Sequence, residues 1–531
     1  MLRRKDFMNS RRSRRLPSLL LALILILSLL SLVGIAPAEE AAEEATTYSM
    51  DFDDQKDWTI ETKKGVTYGY TRVVYCEKPT HPGYQSINLY VPAEYLNEDG
   101  TVNYEAQVGE YTAATAPVLY INSVGAYLGV APYKLKSTVT RAGQNLWYYN
   151  YLKQGYVIAF AGARGRTQNV ELEDGTSQAV GKAPIGLVDL KAGIRFLKAN
   201  SGKFPGNTEQ IISNGMSAGG AMSVLLGVTG NSEYFLPYLE EIGAVMDSTD
   251  DVYAVQAYCP IIDLENASQA YEWMFTGYAT EEYPQTDFTA AASALMAAQY
   301  SDRIAALELG LTLDKEGKGG TFYDTLIAQY ETAFESYVAR GNDASDAEAW
   351  DWLCYDAETG KATVTDVNAL IESGYITRSK NVGAFDAYDL STAENSLFGL
   401  NGSIVGSEEE KRHFSTGIYE LLSGLAEQYP EETAEWQAAY AQAMAEDIQE
   451  QVKVMNPFSW LGSEDATIAQ HFRICVGTKD TDTAPVISLS LALSLEKLGL
   501  DVDYELIWNE VHTDADYANG FESWVDQVTA R

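Results

Sequence analysis

The sequence predicts an α/β protein, on three observations. Short apolar runs at residues 116–122 and 156–161 lead into an amphipathic helical period over 184–199, then a further strand-like run at 210–213 and an apolar helical pattern at 218–227. Strand, helix, strand and helix in succession call for a sheet with helices on its faces. The alternation returns near the C-terminus, and a glycine-rich corner, Gly215-Met216-Ser217-Ala218-Gly219, sits where one of these strands turns into the next helix.

Taken in order, residues 39–64 begin as an Ala/Glu/Thr-rich stretch without period and read as a flexible N-terminal segment. Strand-like runs follow at 68–75 and 85–91. The continuous apolar content of 116–122 and 156–161 predicts strands covered on both faces. Pro184 suits the start of a helix whose Leu187, Leu190, Ile194 and Leu197 recur at helical spacing. A strand at 252–258 closes on Cys259-Pro260. From 266 to 454 the texture changes to Ala, Glu, Tyr and Asp, with helical patterns at 291–309, 320–340 and 427–453. That is too long for a structureless loop and reads as a mostly helical lid. The α/β pattern resumes with a strand at 472–476, a helix at 484–498, a strand at 502–507 and a helix at 517–528. The expected organisation is therefore an export signal (1–38), a flexible segment (39–64), a first core part (65–265), a lid (266–454) and a second core part (455–531).

Composition narrows the partners. With 37 Lys and Arg against 75 Asp and Glu, the net charge is −38, which repels nucleic-acid backbones and anionic lipid surfaces at long range. Small neutral or weakly charged ligands remain. Hydrophobic residues at 46% and aromatics at 11% suit one large core or two ordinary ones, not a disordered acidic chain. The first fifteen residues carry seven basic side chains, an apolar run spans 19–35, and Ala36-Pro37-Ala38 precedes Glu39. Positive region, apolar region and small-x-small site in that order predict a secretory signal, hence a secreted protein with no stable membrane span after cleavage. The alternative is an uncleaved anchor, since the run approaches the length of a bilayer span.

Cys76, Cys259, Cys354 and Cys475 are widely spaced with no CxxC pair, and Cys475 lies in an apolar strand-like run as a buried hydrophobe. Four histidines leave little room for a His-built metal site, and no EF-hand spacing stands out; no metal or cofactor is expected.

The corner at 215–219 fits the G-x-S-x-G elbow, in which a sharp strand-to-helix turn lifts a serine oxygen above the sheet and the first helical amides face the charge that develops there. Ser217 is the candidate nucleophile. Of His81, His413, His471 and His512, only His512 directly follows the last strand, where such a fold places its base; His471 opens the preceding strand at the wrong end, and the other two read as structural or surface groups. The orienting acid belongs at the end of the penultimate strand, where Gly477-Thr478-Lys479-Asp480-Thr481-Asp482 offers Asp480, nearer the strand, with Asp482 as the alternative. Serine, acid and histidine then follow in the chain order of an α/β-hydrolase fold, here with a large, mostly helical lid inserted between late core strands. Oxyanion donors are expected at the Ala218 amide and, in the loop 122–127, at Gly125 or Ala126.

The motifs resemble those of the bacterial tannase family, secreted tannin acyl hydrolases of this fold. The resemblance covers most of 65–531. It rests on Ala161-Gly162-Ala163-Arg164-Gly165-Arg166, on Gly181-Lys182-Ala183-Pro184 through Asp189-Leu190-Lys191, on the run from Ile212 to Gly220, on Ala257-Tyr258-Cys259-Pro260-Ile261 with Ala270-Tyr271-Glu272-Trp273, and on Ala384-Phe385-Asp386 with Glu394-Asn395. The stretch Gly477 to Thr483 completes it. It implies a serine esterase acting on galloyl esters through an acyl-enzyme, with a small phenolic ester as partner. It further implies that Lys380, Glu394 and Asp482 hold the ring hydroxyls, a role that suits carboxylates accepting from phenols and an ammonium facing phenol oxygens. Met216, Ala126 and Asn509-Glu510 depart from the family's pattern and bear on the acyl group, so that gallate, protocatechuate and hydroxycinnamate esters all fit. The other readings are a feruloyl or general carboxylesterase with the same triad, a serine peptidase, and a non-catalytic binder of polyphenols or polysaccharides.

Overall fold

The computed structural model describes residues 47–135, 144–315, 318–517 and 520–530; the export signal read from residues 1–38 lies outside them. Nine strands form one sheet: β1 (Thr59–Lys63), β2 (Val66–Val74), β3 (Ser86–Pro92), β4 (Pro117–Asn122), β5 (Val157–Ala161), β6 (Asn207–Met216), β7 (Ala254–Tyr258), β8 (His471–Gly477) and β9 (Asp501–Ile507). Their spatial order is β1-β2-β3-β5-β4-β6-β7-β8-β9. The first four pair antiparallel, and everything from β5 to β9 is parallel. The predicted apolar runs are there for the expected reason: β4, β5, β7 and β8 are buried along their whole length, covered on both faces.

Helices α1 (Gln144–Gln154), α2 (Ile185–Ala199), α3 (Ala218–Val228), α4 (Leu264–Phe275), α5 (Asp287–Ala306), α6 (Thr321–Ala339), α7 (Pro485–Lys497) and α8 (Gly520–Thr529) are the longer helices around it. Chain between β7 and β8 builds the lid, with α4, α5 and α6, shorter helices, and a hairpin pairing Leu353–Asp356 with Lys361–Val364. Among the described residues no helix is long and apolar enough to cross a membrane.

Three readings need correction. The segment 39–64 is not structureless where it is described: Asp51 caps a helical turn at Phe52–Gln55, Phe52 is fully buried, and β1 extends the sheet. A boundary at 265–266 falls inside α4, which carries core packing directly into the lid, and the described residues form one compact unit. The helical run at 427–453 is broken into Pro430–Tyr440, a 3₁₀ turn at Ala441–Met444 and Glu446–Val454.

The core is pinned by buried charges that the composition does not reveal. Asp189 on α2 is fully buried and accepts from the Arg164 amide at 2.8 Å, from Arg164 Nε at 2.9 Å and from Arg164 NH2 at 2.9 Å. Two and six residues on along α2, Lys191 Nζ and Arg195 Nε donate to Asp250, each at 2.6 Å. A buried pair broken on one side strands a charge in low dielectric. Asp189→Asn is therefore expected to cost about 3–5 kcal/mol of unfolding free energy, read by chemical denaturation. A cost below about 1 kcal/mol would mean that the Arg164 charge is solvated in some other way.

Candidate active site

Parallel strands bring their C-terminal ends to one edge. Met216 on β6 lies opposite Tyr258 on β7, Tyr258 opposite Cys475 on β8, and Gly477 opposite Ile507 on β9. Ser217, Asp480 and His512 each follow one of these ends. Ser217 has φ 60° and ψ −124°, a conformation residues with a Cβ rarely adopt, held because its amide donates to Tyr258 O at 2.9 Å and its carbonyl accepts from Ile261 N at 3.2 Å. Glycine at 219 is required by close approach: a Cβ there would lie 2.6 Å from Asn122 Oδ1 and 2.9 Å from Val124 O. Asn122 Nδ2 in turn donates to Gly219 O at 3.1 Å and Ser223 Oγ at 3.0 Å, fastening the end of β4 to the start of α3.

His512 sits between the other two groups, with Nε2 2.8 Å from Ser217 Oγ and Nδ1 2.8 Å from Asp480 Oδ2. An ionised carboxylate only accepts, so Nδ1 carries the proton and the neutral ring leaves Nε2 free to accept from the serine hydroxyl. Asp480 is buried, and its other oxygen accepts from the amides of Asp482 at 2.9 Å and Thr483 at 3.2 Å. Asp480, not Asp482, therefore meets the imidazole. Burial works against charge on His512, but the Asp480 carboxylate and Cys259 together outweigh it and hold the ring well above the ordinary histidine value.

The Ala218 amide is the first of α3, among those with no intrahelical acceptor. β4 is the sheet neighbour of β6, so the loop after Asn122 passes beside the elbow, and it turns sharply: Ala126 has φ 46° and Tyr127 φ 56°. Gly125 O accepts from Leu128 N at 2.9 Å, and Tyr127 Oη donates to Ile261 O at 2.8 Å.

Lys380, Glu394 and Asp482 come from three separate segments and converge. Glu394 is 7% exposed, on the short helix Ala393–Leu397, and among the described residues its carboxylate makes no hydrogen bond or ion pair with another residue. Burial pushes its carboxyl above the ordinary range, with Lys380 and Arg166 opposing and Asp482 adding to the push. Lys380 Nζ lies 4.0 Å from the Phe385 ring centroid. Its backbone is fixed on both sides, since Arg378 Nε donates to Lys380 O at 2.7 Å and Ser379 Oγ to Thr481 O at 2.6 Å. Arg378 is itself buried against Glu272 of α4, with NH1 to Oε2 at 2.9 Å. The arrangement thus offers a nucleophile with its base and, next to them, a cation and two carboxylates not paired to one another.

Cys259 Sγ lies 3.9 Å from His512 Nε2 and 3.4 Å from Thr513 O. Cys259, Asp480 and His512 could together hold a soft metal ion by distance alone, but Asp480 and His512 are already joined by the hydrogen bond above. Burial pushes the Cys259 thiol up, which keeps it neutral beside the serine. The remaining histidines lie elsewhere: His471 bonds Asp501 at 2.8 Å, His413 is buried against Asp386 at 2.7 Å, and His81 meets Asn169 O at 2.9 Å. Cys475 is buried and free. Arg166, part of a motif but given no role from the sequence, bonds the loop after Asn122 through Ala126 O and feels the charge of Glu394.

Residues 149–308 match a family model described as BD-FAE. No curated protein matches the chain. Among solved structures, the chain is similar to the native tannin acyl hydrolase from Lactobacillus plantarum, with a TM-score of 0.76, 33% identity, and coverage of 90% of this chain and 99% of that one. A tannin acyl hydrolase in complex with ethyl gallate gives a TM-score of 0.75 at 33% identity, over 90% and 99% of the two chains. The Fusobacterium nucleatum tannase gives 0.74 at 30% identity, over 91% and 100%.

Proposed function

Because the chain belongs to the tannin acyl hydrolase family of the α/β-hydrolase superfamily, and is a serine ester hydrolase, we propose that it cleaves galloyl and related polyhydroxybenzoyl esters with Ser217, His512 and Asp480 as its catalytic triad. The observation that carries the acyl specificity is the buried carboxylate of Glu394, which no other residue pairs and which the charges of Lys380 and of Asp482, next to Asp480, both reach. A buried charge without a partner is costly, and a ligand bringing phenol donors to it removes that cost. A relative of this fold and length in complex with ethyl gallate supports the same reading.

In the reaction, His512 Nε2 takes the Ser217 proton as Oγ attacks the ester carbonyl. The tetrahedral oxygen is met by the Ala218 amide and by Gly125 or Ala126. His512 then protonates the departing alcohol, and the acyl-enzyme is left. Water activated by the same nitrogen attacks it and frees the polyhydroxybenzoic acid, returning the proton to Ser217. Asp480 fixes the tautomer and stabilises the imidazolium at each transfer. Export of the protein is part of the same proposal, resting on the charge, apolar run and small residues of 1–38.

Lys380→Met and Glu394→Gln are expected to lower kcat/KM on methyl gallate by about 10- to 100-fold while changing p-nitrophenyl acetate turnover less than about 3-fold, because acetate has no hydroxyls to hold. Equal losses on both esters would place the two residues in the shared catalytic machinery or the fold, against this reading.

A further inference from the structure

Arg166 has contacts that the proposed mechanism does not use. Its backbone amide donates to Tyr127 O at 2.9 Å and its side-chain Nε donates to Ala126 O at 2.8 Å. Together with the bond from Leu128 N to Gly125 O, the carbonyls of 125, 126 and 127 are all committed, which fixes the peptide planes of the loop and hence the directions of its amides. The loop needs such support, since Ala126 and Tyr127 are consecutive residues with a Cβ in the left-handed region, at φ 46° and 56°. Part of the contact is backbone to backbone. A Cβ on Gly165 would lie 2.3 Å from Gly129 N and 2.5 Å from Tyr127 O, so only glycine lets the Arg166 segment press this closely on the loop.

The guanidinium of Arg166 and the carboxylate of Glu394 feel each other's charge. Among the described residues its terminal nitrogens make no hydrogen bond, and no carboxylate lies within ion-pair distance of them. Among the described residues the acid whose charge reaches it is Glu394, whose charge reaches the Tyr127 phenol too. The Arg166 carbonyl accepts from the buried Lys182 Nζ at 2.8 Å, and the same nitrogen lies 3.2 Å from Ser396 Oγ, two residues beyond Glu394. One residue is therefore joined to the oxyanion loop on one side and to the Glu394 helix on the other.

We propose that Arg166 is a positioning residue for ester hydrolysis, holding the loop after β4 in the shape that presents the Gly125 and Ala126 amides to the tetrahedral oxygen, and tying that shape to the Glu394 helix. This rests on the reading of Ser217 as nucleophile. It differs from ring recognition in one consequence: loss of Arg166 slows an ester with no ring hydroxyls as much as one with three.

The test compares the full chain with Arg166→Ala and Arg166→Lys, using Ser217→Ala as control. Measured are kcat and KM on methyl gallate and p-nitrophenyl acetate, and the Ki of phenylboronic acid, which accepts the Ser217 oxygen at boron and places a boron-bound oxygen where the oxyanion forms. Arg166→Ala is expected to lower kcat on both esters by about 10- to 100-fold, to raise the boronate Ki by a similar factor, and to change KM for methyl gallate less than about 3-fold. Arg166→Lys retains a donor that reaches Ala126 O, and is expected to recover at least about threefold of the loss. Acetate turnover and boronate Ki within about twofold of wild type in both variants would overturn the proposal, as would a lowered melting temperature with both quantities unchanged. Retained activity in Ser217→Ala would instead overturn the underlying assignment of the nucleophile, a separate outcome.

Discussion

Replacing Ser217 with Ala is expected to lower ester turnover by about 10⁴- to 10⁶-fold, on gallate and acetate esters alike, while leaving thermal unfolding within a few degrees of wild type. The size follows from the role of the oxygen. Ser217 Oγ makes its hydrogen bond to His512 Nε2, and the strained backbone at 217 is held by its own amide and carbonyl, which alanine retains. Removing the hydroxyl thus deletes the attacking atom without releasing the elbow. Near-normal turnover in this variant would remove the serine mechanism altogether.

Asp480→Asn has the second largest expected effect, a loss of about 10³- to 10⁴-fold in kcat, because an amide turned toward His512 favours the wrong tautomer. It also moves the pH profile in a fixed direction. Hydrolysis needs a neutral His512, so kcat/KM falls as pH drops through the pKa of this ring. Burial lowers that pKa, and Asp480 with Cys259 raises it by more, so in the wild type the acid limb lies above the ordinary histidine value of 6.5. Taking away the carboxylate leaves burial in charge, and the acid limb of the residual activity moves to lower pH. A limb that stays in place, measured from pH 4 to 9, would mean that the group titrating there is not His512.

The proposed nucleophile, base and orienting acid are legible because each has a local signature: a glycine corner between strand and helix, a histidine directly after the last strand, and acids directly after the one before it. Parallel strands ending at one edge do the rest, and that edge is set by apolar runs that any reading of periodicity finds. Lys380 and Glu394 have no such signature. They sit in irregular lid chain, and only the resemblance to a family singled them out; their convergence depends on remote bonds such as Ser379 to Thr481 and Arg378 to Glu272. Arg166 was visible as part of a motif but without a role, since its meaning lies in the carbonyls of Ala126 and Tyr127, forty positions away. β1 was passed over because a five-residue edge strand, largely exposed, has too little apolar pattern to announce itself. Within the lid, alanine-rich sequence shows helical propensity but does not mark where a helix breaks, which is why the turn at Ala441–Met444 was not foreseen.

The central claim is that the site recognises a polyhydroxybenzoyl group, and the most direct measurement is kcat/KM of the wild-type chain on methyl gallate, methyl ferulate and p-nitrophenyl acetate. In the proposed reading Glu394, Lys380 and Asp482 pair with vicinal hydroxyls, whereas a methoxy group has no proton to donate and a propenyl spacer displaces the ring. Methyl gallate is therefore expected to exceed methyl ferulate by at least about 100-fold. Equal or greater turnover of methyl ferulate would contradict the assignment of this cluster, and leave a serine esterase of different acyl preference.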